Sequence, residues 1–129
     1  MRVNPFNHID LRVTNAAEAL RFYTAFLPGL GFTRDRHGTE WKVFGAEGEF
    51  PSVPYFGFTE QADHRPNANR IAFWVGSVEE VDRLAAVVRS AGARNVSGPK
   101  ACPEYSPTYY AVFFEDPSGN KLEICFRSN

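Results

Sequence analysis

The sequence has few of the features that mark secreted, membrane-bound or nucleic-acid-binding proteins. It contains two cysteines, Cys102 and Cys125, which are too few for a disulfide framework, so we expect reduced thiols and a cytoplasmic location. Its 14 basic and 15 acidic residues form no basic stripe and leave a net charge of −1, which argues against a nucleic-acid partner. No apolar run is long enough for a membrane span, and the N-terminus lacks the apolar core of a secretory signal, so we expect no membrane partner.

The chain is instead rich in apolar and aromatic side chains. Of its 129 residues, 43% are hydrophobic and 15% aromatic, with twelve phenylalanines. A chain of this length is typical of one domain, and the composition is ample for one packed core. We therefore expect a single domain.

A strand that leads into a capped helix occurs twice, 62 positions apart. Residues 8–13 alternate apolar and polar side chains and run into a capping box that begins at Asn15. Residues 70–75 alternate in the same way and run into a second capping box that begins at Ser77. This repeat predicts a fold built from two similar modules.

Three strand-like runs follow each predicted helix. They lie near 30–36, 39–46 and 52–59 in the first half and near 93–98, 108–115 and 120–127 in the second. The segment 99–107, with three prolines, is predicted to be a loop. The pattern thus predicts an α+β domain of two βαβββ modules, with module one at about 5–60, a polar linker at about 61–68 and module two at about 69–127.

This organisation resembles the vicinal oxygen chelate superfamily, which includes glyoxalase I, bleomycin-resistance proteins and extradiol dioxygenases. The likeness lies in the opening HIDLRVTNAAEALRFYTAFLPGLGF, the segment IAFWVGSVEEVDRLAAVVRSAGA and the close PEYSPTYYAVFFEDPSGNKLEICF. The resemblance implies curved mixed sheets that form a cup, a divalent metal held by the first and last strands of the modules, and a homodimer.

Two of the ligand positions implied by the resemblance carry residues that can bind a metal. They are His8 on the first strand and Glu123 on the last. Strand alternation places each opposite the apolar face that a helix should cover, and therefore inside the cup. Glu123 is also the candidate catalytic residue, since its carboxylate can move a proton as well as bind a metal.

The other two ligand positions do not carry good donors. The first strand of module two has Arg70, whose guanidinium offers no lone pair. The module-one counterpart of Glu123 falls on Pro54 or, with a small slip, on Tyr55, Phe56 or Gly57. Two protein ligands rarely hold a catalytic metal. One divalent ion (zinc, iron, manganese or nickel) and a metal-free cup with an Arg70–Glu123 ion pair therefore both stay open.

A further set of side chains is predicted to contact a small-molecule substrate. Arg70 can bind a carboxylate, Trp74 shares its face, and an offset of 69 matches Trp41 with Tyr110 as paired aromatic walls. Others share the face of His8 or cluster near the proline-rich segment. The full set is Asp10, Arg12, Trp41, Arg70, Trp74, Tyr105, Tyr109 and Tyr110.

Two main functions follow from these expectations, and whether the chain is an enzyme stays open between them; a third is a partner-binding or antitoxin-like accessory protein in which the cup is vestigial. The first is a lyase, isomerase or dioxygenase-like enzyme that acts through Glu123 on a small oxygenated substrate, with an incomplete metal site. The alternative is a protein that binds or sequesters a small molecule, such as a drug, without chemistry. Retention of His8 and Glu123 favours the first, and loss of two ligands favours the second.

Overall fold

The computed structural model describes residues 5–50 and 52–128. Its first half contains β1 His8–Val13, α1 Ala16–Phe26, a short 3-10 helix Leu27–Leu30, β2 Arg34–Asp35, β3 Trp41–Gly45 and β4 Tyr55–Glu60. Its second half contains β5 Arg70–Trp74, α2 Val78–Ala91, β6 Arg94–Ala101, β7 Tyr110–Glu115 and β8 Lys121–Phe126. This order confirms the predicted α+β fold with the βαβββ unit written twice.

The strands form two mixed four-stranded sheets. The first sheet has the order β1-β4-β3-β2 and the second has the order β5-β8-β7-β6. In each sheet the first strand of the module pairs in parallel with the last strand of the same module, and the other pairs are antiparallel. The two sheets therefore share one topology, as a duplicated module requires.

The capping residues begin the helices where the sequence predicts. The Asn15 side chain accepts a hydrogen bond from the backbone of Glu18, and the Ser77 hydroxyl accepts one from the backbone of Glu80. Gly92 ends α2 at a φ of 103°, a conformation that favours glycine. Neither α-helix of the described residues is long and apolar enough to cross a membrane.

One apolar core joins the two modules. On α1, the Tyr23 ring lies 5.1 Å from that of Phe56 in the first sheet. One turn along the same helix, Phe26 lies 6.2 Å from Phe73 and 5.9 Å from Phe114 in the second sheet. Each sheet therefore has a helix-side face that lines the shared core. We call the opposite faces the open faces, and they point away from that core.

The turn at 116–119 also joins the two modules. Asp116 is fully buried, and its carboxylate accepts a 2.6 Å hydrogen bond from the Tyr23 hydroxyl of α1. It also accepts bonds from the backbone amides of Ser118 and Asn120 and from the Asn120 side chain. The Ser118 hydroxyl in turn accepts a bond from the backbone of Thr14. This carboxylate thus links α1 with the turn before the last strand.

The structure corrects the predicted loop at 99–107. Strand β6 continues to Ala101, and its register with β7 shifts twice between Arg94 and Lys100. Gly98 has a φ of 98°, and a Cβ there would lie 2.8 Å from the Ala111 carbonyl oxygen, so the second irregularity requires glycine. As a result Ser97 and Lys100, three residues apart, face Phe113 and Ala111, which are two apart.

Candidate functional site

The open face of the second sheet carries several of the predicted functional residues. Alternation along β5 brings Arg70 and Trp74 to this face, and alternation along β8 brings Glu123 and Cys125 there. The helix-side residues between them, such as Ile124, are buried in the core. Arg70 and Glu123 therefore lie on one sheet face, as the sequence predicts.

Glu123 is held in place by a tyrosine. It is one of the few buried charged residues in the described part of the chain, at 6% exposure. Its carboxylate accepts a hydrogen bond from the hydroxyl of Tyr109, which precedes β7. Burial, reinforced by this bond, raises the pKa of Tyr109. The phenol therefore stays protonated at neutral pH and acts as a donor to the carboxylate.

The two cysteines pack near this pair without becoming reactive. Cys102 and Cys125 are buried beside Ala111 and Tyr109. Burial raises the pKa of both thiols. Strand β7 lies between the strand that carries Cys125 and the edge from which Cys102 extends, a spacing too wide for a disulfide. Both thiols therefore act as small apolar side chains.

No Arg70–Glu123 ion pair is present in residues 5–50 and 52–128. The register of β5 with β8 places Arg70 opposite Lys121, while Glu123 lies opposite Ala72. The Arg70 guanidinium instead lies 5.0 Å from the ring centroid of Phe113. The predicted metal-free arrangement is thus replaced by a carboxylate bonded to a phenol and an arginine over an aromatic ring.

A pH titration tests the buried phenols. Burial and a hydrogen bond to a carboxylate raise the pKa of Tyr23 and Tyr109 above their ordinary value of 10.0. Because the unfolded chain loses these protons first, their stabilising contribution is present below about pH 10 and lost as the pH rises further. We expect the five tyrosines of the folded protein to give less phenolate absorbance near pH 11 than those of a denatured control, because the pKa values of Tyr23, Tyr109 and Tyr110 are raised. Ionisation of all five without unfolding would contradict this expectation.

The open face of the first sheet carries an aromatic cluster. The rings of His8 and Tyr55 stack 4.5 Å apart at an angle of 2°. Trp41 meets Tyr55 edge-on at 5.7 Å, and Phe50 lies 5.3 Å from the same ring. Trp41 is 39% exposed and Phe50 is 36% exposed. We call these four residues the aromatic cluster; it offers flat apolar surface to a ligand.

Gly57 is the module-one counterpart of Glu123. It pairs with Asp10, whereas Glu123 pairs with Ala72, 62 positions further along the chain. A Cβ on Gly57 would lie 2.9 Å from the indole nitrogen of Trp41, so the indole covers the place where module two has a carboxylate. The fourth ligand position therefore holds an aromatic surface instead of a donor.

The remaining predicted residues have mixed surroundings. Asp10 and Arg12 form an exposed 3.4 Å ion pair beside the cluster. Trp74 is 59% exposed, and the guanidinium of Arg127 lies 4.4 Å from its ring. Tyr105 is 61% exposed and packs edge-on against Tyr109. These side chains all remain accessible to a ligand, with the aromatic ones offering the largest surface.

The structure does not bring Tyr110 to an open face. Its ring packs against the shared core, and its hydroxyl donates a 2.6 Å hydrogen bond to Asp82 of α2. The strand register identifies Ala111 as the counterpart of Trp41. In the first sheet Trp41 lies opposite Thr59, which pairs with Arg12. In the second sheet Ala111 lies opposite Cys125, which pairs with Trp74, 62 positions after Arg12. The offset of 69 is thus one residue short, and a one-residue slip changes the face.

The residues present do not fit the metal that the resemblance implies. The described residues contain no group of three His, Cys, Asp or Glu side chains that could hold an ion. Of the four ligand positions, only His8 and Glu123 carry donors, and they lie on the open faces of different sheets. Glu123 already accepts a hydrogen bond from the Tyr109 hydroxyl. Neither sheet of one chain therefore provides the three protein ligands typical of a catalytic site.

Sequence reasoning missed three residues beside Arg70. Lys100, Phe113 and Lys121 line a cavity with it on the open face of the second sheet. Lys121 could have been found by counting strand alternation back from Glu123 along β8, whereas Phe113 lies on β7 and faces Glu123 only through the register of the two strands. Lys100 could not be found by alternation, because the segment that holds it contains two register shifts.

Comparisons with known proteins agree with this geometry. A sequence model of the Glyoxalase/Bleomycin resistance protein/Dioxygenase superfamily matches residues 6–124. Among solved structures, a glyoxalase/bleomycin resistance protein from Albidiferax ferrireducens T118 superposes with a TM-score of 0.78 at 22% identity, covering 97% of this chain and 100% of that one. No curated protein matches the sequence.

Two other similar structures have more specific descriptions. The fosfomycin resistance protein FosX from Listeria monocytogenes matches with a TM-score of 0.71 at 17% identity, covering 98% of this chain and 96% of its own. The antibiotic binding protein TnmS3 from Streptomyces sp. CB03234 matches with a TM-score of 0.65 at 21% identity, covering 99% of both chains. At these identities the likeness shows the fold alone.

Proposed function

Because the chain belongs to the Glyoxalase/Bleomycin resistance protein/Dioxygenase superfamily, we propose that it binds a small organic molecule on its open faces without transforming it. The observation that carries this proposal is the aromatic cluster, in which His8, Tyr55, Trp41 and Phe50 present an accessible ring surface. Proteins of this superfamily often use a divalent metal, but the donor set of this chain does not support one. An antibiotic-binding protein among the similar structures is compatible with this function.

We further propose that two copies of the chain enclose the ligand. The two open faces of one chain point away from its shared core, and they expose Trp41, Phe50, Trp74 and Tyr105. A second copy laid against an open face would cover these rings and turn a flat surface into a closed site. The proposed setting is a cytoplasmic homodimer, consistent with two free cysteines.

Binding of a neutral planar aromatic tests the proposed function. We expect 2-naphthol to quench the tryptophan fluorescence of the full chain, because Trp41 borders the Tyr55 ring. Tyr55→Ala should weaken binding about tenfold, since it removes the ring at the centre of the cluster. Tyr55→Phe is the matched control, because it keeps the ring and removes only the hydroxyl. Equal binding by wild type, Tyr55→Ala and Tyr55→Phe would overturn the proposal.

Metal analysis tests the other half of the proposal. We expect tag-free protein to hold less than ~0.1 equivalent of zinc, iron, manganese or nickel, because a stable site typically needs three protein ligands. The measurement is elemental analysis after dialysis against each ion. Stoichiometric metal that is lost in a His8→Ala variant would contradict the proposal and restore a metal site.

A second candidate function rests on the Tyr109–Glu123 pair. On the open face, the buried Glu123 carboxylate accepts a hydrogen bond from the Tyr109 phenol, as a general base does from the residue that positions it. Such a pair could move a proton at a carbon next to a carbonyl. Deuterium exchange into dihydroxyacetone, faster with wild type than with Glu123→Gln, would favour this enzyme; equal exchange rates would remove it.

A further inference from the structure

A cavity of about 400 Å³ opens on the open face of the second sheet, separate from the aromatic cluster. It is lined by three cationic side chains, one carboxylate and an aromatic floor. The residues that matter are Arg70, Lys100 and Lys121 with Glu115 and Phe113. Its size matches sites for small molecules or their charged groups.

One of the cations is already neutralised inside the cavity. Lys121 donates a 3.2 Å bond to Glu115, and the side-chain amide of Asn95 donates a 3.0 Å bond to the same carboxylate. Burial raises the pKa of Glu115, but these bonds and the charges of Lys121 and Arg94 outweigh it and lower the pKa overall. Glu115 is therefore ionised at neutral pH, and its charge balances that of Lys121.

The other two cations have no anionic partner in the described part of the chain. The Arg70 guanidinium lies 5.0 Å from the Phe113 ring centroid and forms neither an ion pair nor a hydrogen bond with residues 5–50 or 52–128. The Lys100 ammonium lies 5.6 Å from the same centroid and donates to the neutral hydroxyl of Ser97. Two positive charges thus converge on one ring, where each raises the electrostatic energy of the other.

The register of the strands brings these two cations to the same ring. The register shifts in β6 bring Ser97 and Lys100 to the face of Phe113, although an unbroken strand would place them on opposite faces. Arg70 reaches the same ring from the first strand of the module, two strands away. An anion bound between them would satisfy both charges beside the Phe113 ring.

We propose that this cavity binds the oxyanion of a small organic acid, a carboxylate or a phosphonate, between Arg70 and Lys100. This inference rests on the proposed function, since it names the charge of the ligand that the open faces bind. Arginine offers a planar fork that matches an oxyanion in two places, and lysine adds a point charge that tolerates either geometry. Ser97 and Asn95 supply neutral polar groups at the rim.

Three probes of similar size test the inference on the full chain. Benzoate and phenylphosphonate carry the oxyanion, and benzamide is the neutral analogue of benzoate. Titrations followed by amide shifts in nitrogen-15 spectra should show benzoate at least about tenfold tighter than benzamide, with shifts at Ser97, Lys100 and Phe113. Arg70→Gln and Lys100→Gln should each remove this preference, while Arg21→Gln, an exposed position on α1, should keep it.

The outcomes separate the inference from the proposed function. Equal affinity for benzoate and benzamide overturns the oxyanion site and leaves aromatic binding intact. Tight binding of the acids that is lost in Arg70→Gln, with no binding of 2-naphthol, supports the oxyanion site and overturns the aromatic one. Anion shifts that are spread over basic residues outside the cavity and unchanged in both variants overturn the site. The tighter of benzoate and phenylphosphonate identifies the acid.

Discussion

Replacing Asp116 by alanine is expected to lower the free energy of unfolding by about 3–5 kcal/mol, one of the two largest effects we foresee for a single substitution. The fully buried carboxylate accepts four hydrogen bonds, from the Tyr23 hydroxyl, two backbone amides and the Asn120 side chain. Alanine removes the acceptor of all four bonds; the Asn120 side-chain amide keeps its bond to the Arg12 carbonyl, and each buried donor left unsatisfied costs free energy. Thermal unfolding should show a melting temperature lower by roughly 10–20 °C for a chain of this size.

Two variants test whether the loss of stability comes from the missing hydrogen-bond acceptor or from the smaller side chain. Asp116→Asn keeps one oxygen for the amides of Ser118 and Asn120, so we expect a loss of about 1–2 kcal/mol. Tyr23→Phe removes only the bond between α1 and the turn, and a similar loss of about 1.5–3 kcal/mol is expected because the acceptor is charged. If Asp116→Ala unfolds at the wild-type temperature, the turn does not connect the modules as described.

The fold was predictable because its local signals are strong. Each helix begins at a capping residue whose side chain bonds to the residue three further on, and each flanking strand alternates cleanly. The duplication repeats both signals 62 positions apart, which fixes the order of elements. Strand ends were less predictable: of the run near 30–36 only the two-residue β2 is a strand, because the 3-10 helix Leu27–Leu30 extends past Pro28 into the start of the run.

The sites were predictable only as far as strand alternation holds. Alternation correctly assigned His8 and Glu123 to faces opposite the core, because β1 and β8 pair without irregularity. It could not reach Lys100, which lies in a segment predicted to be a loop and where β6 gains extra residues. The offset of 69, not alternation, misplaced Tyr110, because a loop of different length shifts the offset by one. Partners across strands, such as Tyr109 for Glu123, depend on register, which a single sequence does not determine.

The way in which the two modules pack together was the feature hardest to predict from the sequence. The sequence placed His8, Arg70 and Glu123 around one hollow, because each lies on the face away from its helix. In the structure the helix-side faces of both sheets share one core through α1, so the open faces of one chain diverge. A hollow that joins them therefore requires a second copy of the chain, which is why we propose a dimer.

The shared core leads to the second large expected effect, on Phe26. This fully buried ring lies between the modules, 6.2 Å from Phe73 and 5.9 Å from Phe114, and it also packs against Phe22 and Tyr23 of its own helix. Phe26→Ala removes the ring and leaves a cavity between α1 and the second sheet. We expect a loss of about 3–5 kcal/mol in the free energy of unfolding, measured with urea.

How the lost stability is divided between the two modules tests the shared core more sharply than the total change in the free energy of unfolding. If both sheets pack on one core, Phe26→Ala should lower amide-exchange protection in β4 and in β8 by the same free energy, because the two modules unfold together. Phe26→Leu is the matched control, since it keeps an apolar side chain and should cost about 1–1.5 kcal/mol. Loss of protection confined to β4, with β8 unchanged, would show that the modules are independent. The open faces of one chain would then be free to turn toward each other, and the argument for a second copy would fail.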